Sequence, residues 1–294
     1  MTTIKVFVAR HSVLAYFALT FAISWGGILV VIGGPGAIPG TKEQVETLLP
    51  IAILAMLAGP PVAGIVLTGL LYGKSGLRDL LARMTRWRVG ARWYAVALLT
   101  APLSMVAALL ALSLTSPEFL PGIFVSDEKT TLLLMGVVPG LMAGFLEELG
   151  WTGFATPRMR LRYGVLGTGL IVGVLWGAWH ILTNGLWQSG IASGGFSLAI
   201  FLPAYLFTFL VGQLPAYRVL MVWVYDRTGS ALVAMLMHAS LTASTAILAP
   251  LAITGVGLLA VTLAYAAAAW VVVAAVVLAR GGHISRVRLR RQVA

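Results

Sequence analysis

Eight long apolar runs, joined by short connections whose charge alternates, restrict this chain to a bundle of membrane-crossing helices. The runs cover about 13–33, 48–72, 93–115, 132–155, 165–183, 198–216, 231–250 and 252–279. A bilayer core ~30 Å thick is crossed by about 20 helical residues. Lipid offers no partner to an unpaired backbone group, so open strands are excluded, and no segment shows the period-two alternation of a membrane barrel. Only 10% of the 294 residues are charged and 60% are hydrophobic, whereas a soluble domain carries about 25% charge. The predicted fold is therefore all-α and polytopic, one integral membrane domain over 1–294 in contact with the lipid bilayer. Lys5 and Arg10 followed by apolar residues from Val13 resemble a signal peptide, but the run is too long, and it reads as an uncleaved first span.

The formal net charge of +11 does not describe a nucleic-acid surface, because the basic residues sort by membrane side. Of the twenty Lys and Arg, all but Lys42 and Lys129 fall at the N-terminus, in segments 73–92, 156–164 and 217–230, or in the tail 280–294. The intervening connections instead hold Glu43, Glu46, Glu118, Asp127 and Glu128. The positive-inside rule then puts both termini in the cytoplasm and makes the span count even. Segment 73–92 mixes Leu80, Leu81, Met84 and Trp87 with arginines, as an interfacial helix or a plain basic loop would. The tail sequence RVRLRR reads as a topology and lipid anchor. The absence of cysteine removes disulfides, thiolate metal sites and cysteine-protease chemistry.

Within this apolar background Glu147 and Glu148 stand side by side in the fourth run. A carboxylate at bilayer depth costs about 2.5–3.5 kcal/mol on insertion scales, so an adjacent pair needs a purpose. The other ionisable residues in clear view inside spans are His180 and His238. Glu147 and His180 are equidistant from the apex of their hairpin, between Tyr163 and Gly164, which places them at similar depth. His238 lies eight residues beyond Ser230, roughly 12 Å into its span at ~1.5 Å per residue. The site is thus predicted between spans 4, 5 and 7. Trp176 and His180, Glu148 and Thr152, and His238 and Thr242 are each spaced i, i+4 and share a helix face, and Trp151 and Trp176 read as cavity wall.

These residues fall into three motifs. The run Glu147-Glu148-Leu149-Gly150-Trp151-Thr152, continuing to Arg158, resembles the first motif of the CAAX-protease and bacteriocin-processing (CPBP, or Abi) family. Trp176-Gly177-Ala178-Trp179-His180 is similar to the second, and the stretch from Thr228 to His238 and Thr242 to the third. The resemblance covers residues 147–242, with a CPBP-like core of about 132–250. It implies a bacterial inner-membrane, metal-independent endopeptidase without cofactor, acting on a membrane-tethered or leader peptide. By that resemblance Glu147 is the general base that activates a water, His180 helps to hold it, and His238 with residue 242 stabilises the oxyanion. Glu148 supports them. Such roles suit the chemistry, since a buried carboxylate makes a base and donors aimed at the oxyanion lower the barrier.

Two positions depart from the family pattern. Thr152 stands where an arginine is expected, which removes the i+4 countercharge of Glu148 and predicts one proton shared between the two carboxylates. Thr242 stands where asparagine is usual. Asn184, one turn beyond His180, and Arg158 are the residues expected to compensate. The rival chemistries are weaker. One Glu and two His match a catalytic zinc set, but there is no H-E-x-x-H and the ligands come from three helices. No aspartate lies deep in a span, and Ser230 and Ser240 lack a glycine-rich nucleophile setting. A non-catalytic alternative is a scaffold or immunity protein of the same fold, or a proton-coupled carrier using the glutamates as a relay. The oligomeric state is not encoded in these patterns.

Overall fold

The computed structural model describes residues 3–279; the basic tail falls outside the described residues. Among these residues all regular structure is helical, and eight segments are long and apolar enough to cross a membrane. The chain is a multi-pass membrane protein. We label its main helices α1 (Ser12–Ile32), α2 (Lys42–Leu57), α3 (Gly59–Met84), α4 (Ala91–Ser113), α5 (Lys129–Gly150), α6 (Val165–His180), α7 (Leu198–Phe207), α8 (Leu214–Thr228), α9 (Ala231–Leu248) and α10 (Gly255–Ala279). Exposed Leu103, Phe145, Phe207 and Val271 give the bundle the apolar exterior that lipid requires.

Each expected span has its helix, with two extensions. The second run continues past Gly73, where φ 60° and ψ −151° break α3 and let a second helical stretch leave at a new angle. Only glycine adopts that backbone without strain. The helix considered for segment 73–92 ends at Met84; there Leu80 is buried against Leu149 and Met235, while Leu81 and Trp87 are exposed.

The second extension is a correction. Segment 217–230 is not a connecting loop. It is the body of α8, buried throughout from Leu214 to Tyr225, and Arg218 inside it is wholly inaccessible. An arginine survives there because it is ion-paired, which a hydropathy window does not register. Arg160, also assigned to a basic turn, is buried as well and pairs with Asp226 of α8 at 2.6 Å.

Glycines set how closely the central helices approach. On α5, Gly136, Gly140 and Gly144 recur every fourth residue, and a Cβ on Gly140 would come 2.7 Å from the Ala239 carbonyl oxygen. On α6, Gly169, Gly173 and Gly177 do the same, and a Cβ on Gly173 would come 2.5 Å from Cα of Pro215. In lipid the packing of small residues, not hydrophobic burial, drives helix association. The first stripe draws α9 against α5, and the second draws α8 against α6. The bundle interior is therefore built from α5, α6, α8 and α9, and their polar side chains meet there.

Candidate active site

At the end of α5 the backbone changes character. Directly after the two glutamates and Gly150, residues Trp151–Ala155 form a wider π-helical turn before Thr156–Arg160 resumes α-helix. Such turns recur at functional sites because they re-aim side chains. Gly150 leaves room for close packing, since a Cβ there would lie 2.4 Å from the Pro60 carbonyl oxygen of α3. Trp151 still bonds the Glu147 carbonyl oxygen through its backbone N–H, so its indole lies one α-helical turn from Glu147 on the same face.

Glu147 is nearly inaccessible, at 3% exposure. Two indoles donate to the same carboxylate oxygen, Oε2: Nε1 of Trp151 at 3.1 Å and Nε1 of Trp176 at 2.7 Å. The other oxygen, Oε1, faces Nε2 of His238 at 3.7 Å, beyond hydrogen-bond length. The two tryptophans expected as wall are therefore the groups that hold this carboxylate.

Glu148 has a separate environment. Nη1 of Arg218 lies 2.9 Å from each of its oxygens, the Thr152 hydroxyl donates to Oε2, and Nδ1 of His238 lies 2.8 Å from Oε1. Both residues of the ion pair are fully buried. The missing cation was the premise for a proton shared between the two carboxylates, and Arg218 removes it. The compensating residue is neither Asn184 nor Arg158. Arg158 donates instead to the Phe154 carbonyl oxygen and stacks over the Phe154 and Tyr72 rings.

His238 bridges the pair, with Nδ1 on Glu148 and Nε2 toward Glu147, and its ring stands edge-on to Trp176 at 4.9 Å. His180 is placed differently from the hairpin estimate. Its Nδ1 lies 2.8 Å from the Trp176 carbonyl oxygen. A carbonyl only accepts, so Nδ1 carries the proton and Nε2 is left as an acceptor. The ring is half-buried among Trp176, Trp179 and Phe209, within electrostatic range of Glu147 but not bonded to it. The residue that faces Glu147 across the hairpin is Trp176, one turn nearer the apex.

Thr242 and Asn184 are half-buried, and among the described residues neither side chain bonds to the two glutamates or the two histidines. Ser230 caps α9 and donates to the Arg86 carbonyl oxygen, and Ser240 donates to that of Leu98, so neither hydroxyl is turned to a histidine. Among the described residues no three His, Asp or Glu side chains are arranged to hold a metal ion. The cluster thus offers a fixed carboxylate with one uncommitted oxygen, a histidine anchored by a second carboxylate, and a second imidazole whose Nδ1 donates to a backbone carbonyl. That is equipment for activating water beside a carbonyl group.

Comparison with known proteins gives a family match that spans these residues. Residues 129–244 match the family model described as type II CAAX prenyl endopeptidase Rce1-like. That range contains Glu147, Glu148, Trp176, His180, Arg218, His238 and Thr242. No curated protein matches the chain.

Proposed function

We propose that this chain, whose residues 129–244 match the family model described as type II CAAX prenyl endopeptidase Rce1-like, is a glutamate-dependent intramembrane endopeptidase. Its substrate is a membrane-tethered or leader peptide, and its setting is a bacterial inner membrane with both termini cytoplasmic. The observation that carries this reading is the asymmetry of Glu147: both indoles hold Oε2, and Oε1 is left for the reaction. The two indole donors fix the orientation of the carboxylate and leave Oε1 without a hydrogen-bond donor.

In the proposed mechanism Oε1 of Glu147 takes a proton from a water, and the resulting hydroxide attacks the scissile carbonyl carbon. His180 orients that water through its Nε2 acceptor. The oxyanion is met by His238, whose imidazolium form donates from Nε2 while Glu148 holds Nδ1. Collapse of the intermediate breaks the C–N bond, and Glu147 returns its proton to the leaving nitrogen. Positioned acid–base groups contribute about 10²–10⁴-fold, and one oxyanion donor about 10²–10³-fold.

The test is hydrolysis of a fluorescence-quenched, prenylated CAAX peptide by the full chain in liposomes. Glu147→Gln keeps the shape and one acceptor oxygen but removes the base, and a loss of at least about 10²-fold is expected with an unchanged unfolding midpoint. Wild-type turnover in a folded Glu147→Gln protein would sink the proposal.

A further inference from the structure

We infer that Arg218 is a positioning residue of this site: the cation that the family pattern places on the glutamate helix is supplied here from a different span, and it holds both halves of the site at once. The inference rests on the reading of Glu147 as base. Three observations carry it.

First, the exchange is reciprocal. Thr152 occupies the position one turn after Glu148 where the pattern has arginine, and its hydroxyl bonds the same oxygen, Oε2, that Arg218 reaches from α8. The threonine hydroxyl carries no charge to neutralise the carboxylate, and the arginine of another helix supplies it at the same oxygen. Gly173 makes that approach possible, since a Cβ there would lie 3.2 Å from the Arg218 Cβ.

Second, Arg218 touches more than its ion-pair partner. Its guanidinium carbon lies 4.1 Å from the centroid of the Trp176 ring. That ring donates to Glu147, and the backbone carbonyl of the same residue receives His180. Glu148 in turn holds His238. Through two contacts, one guanidinium therefore sets the place of Glu147, His180 and His238. The planar cation suits both tasks, because Nη1 meets both carboxylate oxygens while the face of the guanidinium lies over an aromatic ring.

Third, Arg218 is poorly explained as a mere helix fastener. Only Nη1 is bonded; Nε and Nη2 are buried and have no hydrogen-bond partner among the described residues. Leaving donors unmet in the interior is costly, and an apolar residue would close the α6–α8 contact more cheaply.

The experiment compares Arg218→Met, Arg218→Lys, the neutral pair Glu148→Gln with Arg218→Met, and the relocated pair Thr152→Arg with Arg218→Met. Each is reconstituted at full length with the prenylated CAAX peptide, and kcat, KM and the unfolding midpoint are recorded. Arg218→Met is expected to lower kcat about 100-fold with KM within threefold. The relocated pair recovers at least about tenfold of that loss, and Arg218→Lys, lacking the planar face that lies over Trp176, recovers less. The neutral pair folds without the buried charges and stays slow. If Arg218→Met turns over at the wild-type rate per folded molecule, or its loss is not recovered by Thr152→Arg, the inference fails. A wild-type protein that leaves the peptide uncut counts against the endopeptidase reading alone. In that case a double-mutant cycle between Arg218→Met and Trp176→Leu, which removes the ring face under the guanidinium, decides, read as the unfolding midpoint: coupling upholds the positioning contact, and additivity overturns it.

Discussion

The indole of Trp176 donates to Oε2 of Glu147 at 2.7 Å, joining two helices across 29 residues of sequence. Both partners are buried, so this is a charge-assisted bond in a dry setting. Hydrogen bonds to charged groups are worth about 1.5–3 kcal/mol. Trp176→Phe keeps an aromatic ring but removes the donor, and a fall in kcat of about 10–100-fold is expected in single-turnover assays. Trp151→Phe should fall less, because its bond is longer at 3.1 Å.

Gly173→Ala is expected to destabilise the protein by about 1–3 kcal/mol, because the new methyl meets the backbone of Pro215 at 2.5 Å. Gly167→Ala, on the same helix, is the control. There the methyl finds only the Tyr163 side chain at 3.5 Å, and the added helix propensity should leave stability unchanged or raised. Thermal unfolding in detergent separates the two.

Asp226→Ala strands the buried Arg160 guanidinium and should cost about 3–5 kcal/mol. Replacing both partners, as Arg160→Met with Asp226→Leu, should return much of that loss, since an apolar pair carries no desolvation penalty. A double-mutant cycle on unfolding midpoints checks this. A pair variant less stable than Asp226→Ala would refute it.

His180 should react with diethyl pyrocarbonate well before His238. The first is half-buried with Nε2 unbonded; the second is 2% exposed and anchored to Glu148. Peptide mapping by mass spectrometry, in a background lacking His11 and His283, gives the order directly. Equal rates would mean that the two rings have similar access to solvent.

The span pattern was legible in the sequence because apolar length is a strong signal, and the glutamates and histidines were legible because charge in lipid is rare. Arg218 was not. A window average treats an arginine as the end of a span, and its partner Glu148 lies 70 residues away. The hairpin estimate paired Glu147 with His180 because it assumed a uniform rise. The two helices are instead offset by about one turn, so that Trp176 stands opposite Glu147, and the wider turn at Trp151–Ala155 accounts for part of that offset. A usable signal was present in the glycines: Gly136-Gly140-Gly144 and Gly169-Gly173-Gly177 mark the two faces along which the core helices touch. The tryptophans carried no signal that separates a hydrogen-bond donor from a wall.

The division of charge among α5, α8 and α9 has a consequence for how the protein is made. The glutamates leave the ribosome about 70 residues before Arg218, a delay of roughly 4–14 s at about 5–20 residues per second. Throughout that interval α5 has two acidic groups and no cation to meet them. Until α8 arrives, the burial of Glu148 lacks its countercharge. A chain truncated before Arg218 is therefore expected to be less stable in the membrane than the full chain, which pulse-chase turnover of the two would measure.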